Sequence, residues 1–209
     1  MAAFLITGDA KAPTTVLLAH GSGVPMDSPF MTAFAELLAE RRCRVARFEF
    51  AYMAARREGA SRRPPPRAER LVGEYQAAIS ALGAEDRLVI GGKSLGGRVA
   101  SLAAQEQSDH GAIAGLLCLG YPFHPPDKPQ SLRTAHLEPL TVPTLICQGE
   151  RDPFGTRAEV AGYALPDAIR LHWASDGDHD LAPRKATGLT EEDNWRTAAE
   201  AIADWLDEL

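Results

Sequence analysis

Cysteine is scarce in this chain. Cys43, Cys118 and Cys147 form an odd set with no C-x-x-C pair, which argues against a zinc site or a redox dithiol. Each lies in or beside an apolar, strand-like run, so the three read as buried, inert thiols. Long hydrophobic runs are also missing. Nothing approaches the roughly 20 apolar residues of a membrane span, and Met1 to Ala12 lacks the basic and apolar regions of a signal peptide. The expectation is a soluble cytoplasmic protein. There is no excess of positive charge: 22 Lys and Arg stand against 28 Asp and Glu, a net charge of −6. The chain as a whole therefore exerts no pull toward nucleic acid or an anionic bilayer. Internal repeats and low-complexity tracts are absent too.

What is present is the composition of an ordinary globular protein, 45% apolar and 24% charged, which implies a packed core. At 209 residues the chain reads as one domain spanning residues 1–209. Short aliphatic runs at Phe4–Thr7, Thr15–Ala19, Val45–Phe50, Arg87–Gly91, Gly115–Gly120, Thr144–Gln148 and Ile169–Trp173 alternate with segments of helical period. That alternation predicts an α/β fold, a mostly parallel sheet of about seven strands flanked by helices on both faces. Continuous apolar character suits strands buried on both sides.

Ser28 followed by Pro29 predicts a capped helix over about 29–41. A second helix runs along the stripe from Ala68 to Leu82 and stops at Gly83. Thr190 caps a last helix whose apolar stripe includes Trp195, Ile202 and Leu206. Ala51 to Pro66 and Pro122 to Leu140 show no periodicity. Both follow strands and should lie at the carboxyl edge of the sheet, where ligands bind. No insertion is long enough for a substantial cap domain.

The chemistry centres on Arg87-Leu-Val-Ile-Gly-Gly-Lys-Ser-Leu-Gly-Gly-Arg-Val-Ala100, an apolar strand running through Gly92-Lys-Ser-Leu-Gly96 into a helix. In a nucleophile elbow the turn is too tight for side chains two residues either side of the serine, and Gly92 and Gly96 meet that need. Serine is a weak nucleophile until a base takes its proton, and the base needs an acid to orient it. Gly149-Glu-Arg-Asp-Pro153 after one strand offers Asp152, and Asp176-Gly-Asp-His-Asp180 after the next offers His179. Asp176, Asp178 and Asp180 lie so near His179 in sequence that they read as shaping its loop, and Glu150 is a weaker competitor for the acid. His20, His136 and His172 fit turn, surface or core positions, and His110 reads as surface.

An oxyanion hole takes one N–H from the residue after the nucleophile, here Leu95, and one from the loop after an earlier strand. His20-Gly-Ser-Gly23 is that loop, with Ser22 the chosen donor and Gly21 or Gly23 the alternatives. A candidate substrate rim comprises Lys93, Arg56, Arg57 and His124. Lys93 reads first as reaching solvent, with a substrate role as the alternative. Arg56, Arg57, Arg62, Arg63, Arg67 and Arg70 read first as a solvated loop stiffened by Pro64, Pro65 and Pro66; the alternative is a cationic rim that attracts an acidic ligand.

These pieces resemble the α/β-hydrolase superfamily over essentially the whole chain. His20-Gly-Ser-Gly, Met26-Asp-Ser-Pro-Phe30, Gly92-Lys-Ser-Leu-Gly-Gly97, Tyr121-Pro-Phe-His124 and Gly149-Glu-Arg-Asp-Pro153 are more narrowly similar to small lidless hydrolases. These are related to dienelactone hydrolase and to the testis-expressed-protein-like and histone-acetyltransferase-complex-subunit-like groups. The resemblance implies the fold and a hydrolase activity. Dienelactone hydrolase proper carries cysteine at the elbow, so Ser94 shifts the expectation to general esterase chemistry. The reading is a serine hydrolase of a small soluble ester or thioester, with neither metal nor organic cofactor required. The alternatives are an idle scaffold of the same fold, or an amide- or peptide-directed hydrolase.

Overall fold

The computed structural model describes residues 3–61, 64–84 and 87–209. Its seven strands are β1 (Phe4–Thr7), β2 (Thr14–Ala19), β3 (Cys43–Phe48), β4 (Arg87–Lys93), β5 (Gly115–Leu119), β6 (Thr144–Gly149) and β7 (Ile169–Ala174). They form one sheet in the order β1-β3-β2-β4-β5-β6-β7. Only the edge strand β1 runs antiparallel, pairing Phe4 with Phe48 and Thr7 with Val45.

Successive side chains of a strand point to opposite faces, and here both faces are covered. Val16 and Leu18 of β2 join one core with Phe34, Leu38, Ile202 and Leu206, while Leu17 and Ala19 join the other with Tyr75, Ile79 and Val99. The first core lies under α1 (Pro29–Ala39) and α6 (Glu191–Asp207), the second under α3 (Val72–Leu82) and α4 (Leu95–Asp109). A strand that must be apolar on both sides cannot alternate, which is why these runs are continuous in sequence.

Helix ends follow local chemistry in most places. Thr190 and Asp193 form a reciprocal capping box at the start of α6, Thr190 Oγ1 accepting from Asp193 N at 3.2 Å and Asp193 Oδ2 accepting from Thr190 N at 2.8 Å. Gly83 ends α3 in the left-handed conformation, with φ 55°. At α1 the expected cap is only half realised. Ser28 occupies the position before Pro29, but its Oγ is buried with no hydrogen-bond partner. That helix start relies instead on the fixed φ and absent N–H of Pro29.

Residues 51–66 depart from expectation, because their first half is a helix, α2 (Ala51–Arg57). Seven residues are too few to display a period, and the stabilising partners come from afar. Ala51 N–H donates to Glu74 Oε2 at 2.7 Å, and Phe50 N–H donates to His20 Nε2 at 3.2 Å. A four-residue α5 (Arg157–Val160) also went unpredicted. Among the described residues, 122–140 contain no helix or strand, and no helix is long and apolar enough to cross a membrane. Cys43, Cys118 and Cys147 are all buried and unpaired, and burial pushes each thiol pKa up, that of Cys43 to about 11.

Candidate active site

β4 lies at the centre of the sheet, and its carboxyl end turns directly into α4 through Ser94. Ser94 takes φ 51° and ψ −112°, a conformation that costs a non-glycine residue on the order of 1–3 kcal/mol. Its N–H donates to Leu119 O at 3.0 Å, which helps hold the turn. A Cβ on Gly92 would stand 2.4 Å from Ala19 O, and one on Gly96 would stand 2.3 Å from the same oxygen. The elbow closes only because both positions are bare.

Two further strand ends bring the partners. Asp152 follows β6 and is fully buried, and His179 follows β7 with about a fifth of its side chain exposed. Ser94 Oγ lies 2.8 Å from His179 Nε2, and His179 Nδ1 lies 2.8 Å from Asp152 Oδ2. The residues are 85 and 27 positions apart in sequence. Asp152 Oδ1 accepts from Phe154 N–H at 2.8 Å, and Oδ2 also accepts from Gln148 Nε2 at 2.9 Å. A carboxylate ringed by donors only accepts, so Nδ1 of His179 carries the proton and Nε2 turns its lone pair to Ser94. The Phe154 ring packs on the imidazole with centroids 4.4 Å apart.

The competing acids are occupied elsewhere. Asp176 pairs with Arg184 at 2.5 Å and Arg151 at 2.9 Å, and the bond from Arg184 foremost lowers its pKa to about 2. Asp178 Oδ1 accepts from the N–H groups of Asp180 and Ala182, which shapes the loop. Glu150 accepts from Asp176 N and Arg157.

Gln148 escaped the sequence reading. Its Oε1 accepts from Tyr121 N at 2.7 Å, while Nε2 donates to Tyr121 O and Asp152 Oδ2, tying two loops to the acid. The available signal was a polar residue near the end of a continuously apolar strand.

The candidate rim needs correction at three positions. Lys93 does not reach solvent; it is 3% exposed. Its Nζ donates to the backbone oxygen of His179 and lies 3.2 Å from Asp180 Oδ1 and 5.0 Å from the centre of the Phe30 ring. Burial pushes its pKa down, against the raising effect of Asp180. His124 is 1% exposed, with Nδ1 2.9 Å from Pro125 O, and is not a rim residue. Arg57 is bound to Glu49 at 2.8 Å and Asp27 at 2.5 Å, so its charge is balanced within the protein. Arg56 lies over the Tyr52 ring at 5.1 Å, and its Nη1 donates to Ser22 O at 3.4 Å. Arg62 and Arg63 lie outside the described residues.

Lys93, the last residue of β4, holds the backbone of His179 beside the Ser94 turn, so the spacing of the Ser94 and His179 side chains rests on it. Lys93→Met should slow phosphonate labelling of Ser94 by about 10- to 100-fold, the effect of displacing a reacting group by about 1 Å. Labelling kinetics, beside a cooperative thermal unfolding curve, provide the check; a loss under twofold would show that the loop holds itself.

His20 supports the neighbouring loop. Because Nε2 accepts from Phe50 N–H, Nδ1 bears the proton and donates to Gly21 O at 2.6 Å; burial lowers the imidazole pKa. Ser22 and Leu95 both line a cavity of about 560 Å³ that opens on Ser94. Its other walls include Pro65, Pro66, Pro122 and Phe154, so both segments expected at the carboxyl edge, 51–66 and 122–140, contribute.

The chain belongs to the α/β-hydrolase family, whose alpha/beta hydrolase domain model matches residues 12–207. Among solved structures it is similar to dienelactone hydrolase from Anabaena variabilis, with 21% identity and a TM-score of 0.73 over 98% of this chain and 90% of that one. It is also similar to an alpha-beta serine hydrolase homologue from Coxiella burnetii, with 17% identity and a TM-score of 0.70 over 96% and 89%. A serine hydrolase without lid from Xanthomonas campestris matches with 15% identity and a TM-score of 0.68 over 98% and 88%. These likenesses establish the shared fold from the first strand to the last helix.

Proposed function

We propose that the protein is a serine hydrolase that cleaves a carboxylic ester or thioester of a small substrate through an acyl-Ser94 intermediate. The observation that carries this reading is the chain of 2.8 Å contacts from Ser94 Oγ through His179 to buried Asp152, placed at the mouth of a cavity. Ser94 Oγ attacks the carbonyl carbon as His179 Nε2 takes its proton. The oxyanion is held by the N–H of Leu95, at the first turn of α4 where N–H groups lack intrahelical acceptors, and by that of Ser22. Collapse breaks the bond to the alcohol or thiol, which leaves with the proton from His179. Water then repeats the sequence on the acyl-enzyme, releasing the acid and restoring Ser94.

A cavity of about 560 Å³ is of small-molecule size, and among the described residues no cap domain extends it. A fluorophosphonate probe followed by 4-nitrophenyl esters of graded length tests the reading. We expect labelling, with turnover highest at about two to four acyl carbons. Absence of labelling would overturn the hydrolase reading, and a maximum at long chains would overturn the small-substrate part of it.

A further inference from the structure

The lining of the cavity has an uneven charge. Arg67, Arg98 and Arg133 line it, and among the described residues Glu69 is the one acidic residue lining it. Glu69 is bonded to Arg98 Nη2 at 2.7 Å. That pair leaves Arg98 Nε buried without a hydrogen-bond partner. Among the described residues no acidic side chain is hydrogen-bonded to Arg67 or Arg133. Arg133 is half-buried. Burial first, and then the like charge of Arg98, push its guanidinium pKa down.

Three guanidiniums facing one space with the single Glu69 carboxylate among them is a costly arrangement, because like charges repel more strongly where water is partly excluded. Entry of an anion relieves both the repulsion and the desolvation, and a carboxylate matches the planar fork of a guanidinium. The Glu69 carboxylate in the same wall disfavours a second negative charge on the ligand.

We propose that this wall is an anion subsite, and that the substrate is an ester bearing a single free carboxylate a few bonds from the scissile carbonyl. The proposal rests on the hydrolase reading above and names the substrate class for that site. Arg67, the one member at the exposed mouth, is the part of the sequence's arginine-rich run that meets the ligand; Arg98 and Arg133 come from α4 and from the loop after β5.

Monomethyl glutarate and methyl pentanoate have the same acyl length and differ in the carboxylate. In the wild-type enzyme at low salt, kcat/KM should favour monomethyl glutarate by about 10-fold or more. Arg133→Met should reduce that ratio by about 10-fold, and raised salt should reduce it as well. Titration of Ser94→Ala with monomethyl glutarate, followed by NMR, separates binding from chemistry. Binding that weakens in the Ser94→Ala, Arg133→Met double variant supports the subsite. If it does so while neither ester is hydrolysed by the wild type, only the hydrolase reading falls. Equal binding of the two esters, or binding indifferent to Arg133→Met, overturns the subsite. Stronger competition from inorganic phosphate than from acetate would assign the wall to a phosphoryl group and overturn the carboxylate.

Discussion

Ser94→Ala is expected to abolish fluorophosphonate labelling and to lower kcat by about 10⁴- to 10⁶-fold, the range in which loss of a triad nucleophile falls. Among the described residues lining the cavity, the one other hydroxyl is that of Ser22. The three thiols are buried with pKa values raised by burial, and among the described residues no side-chain base bonds the Ser22 hydroxyl. The fold should survive, because the substitution removes one partly exposed oxygen whose bond is to His179 alone. Initial rates with a short ester, together with intact-protein mass after probe treatment, read the result. Labelling at another residue, or activity above about 1% of wild type, far over the residual rate left by binding and the oxyanion hole alone, would place the nucleophile elsewhere.

Asp152→Asn should lower kcat by about 10³- to 10⁴-fold while KM changes little. The reason lies in the directions of four hydrogen bonds. Oδ1 accepts from Phe154 N–H, and Oδ2 accepts from Gln148 Nε2 and His179 Nδ1. An asparagine must present its NH₂ at one of these two positions. At the first it meets the Phe154 N–H, a buried donor facing a donor, which costs about 1–3 kcal/mol. At the second it makes His179 Nδ1 the acceptor, so that Nε2 keeps a hydrogen and has no lone pair for Ser94. Gln148 cannot rotate to accommodate it, since its Oε1 is held by Tyr121 N–H. Steady-state kinetics and near-UV circular dichroism provide the measurement. Near-normal kcat in a folded variant would show that Asp152 does not orient the base.

Much of the architecture is legible in the chain alone. All seven strands sit within two residues of their expected bounds; the central β2, β4, β5 and β6, buried on both faces, are nearly continuously apolar and are cut off by glycine, proline or polar residues. Thr190 and Gly83 marked helix ends for reasons confined to one turn of chain. The elbow was legible for the same reason: the conformation at Ser94 needs small residues at fixed offsets in the chain. By contrast, α2 was missed, since about two turns bond their first N–H to distant Glu74 and fully bury only Met53.

By itself the sequence determined the order of strands and helices, the strained turn at Ser94, and the placing of Asp152 and His179 at strand ends. Periodicity, apolar continuity and small-residue spacing are local, so they are written along the chain. Only the tertiary structure decided which charges are balanced inside the protein and which face the cavity. Lys93 turned inward because the loop carrying His179 and Asp180 folds over it, and Arg57 is held by Glu49 and Asp27. Arg98 and Arg133 reached the cavity from an adjoining helix and a distant loop. The energy of a charged side chain depends on how much water and which opposite charges the fold brings around it, and neither quantity is set by its sequence neighbours.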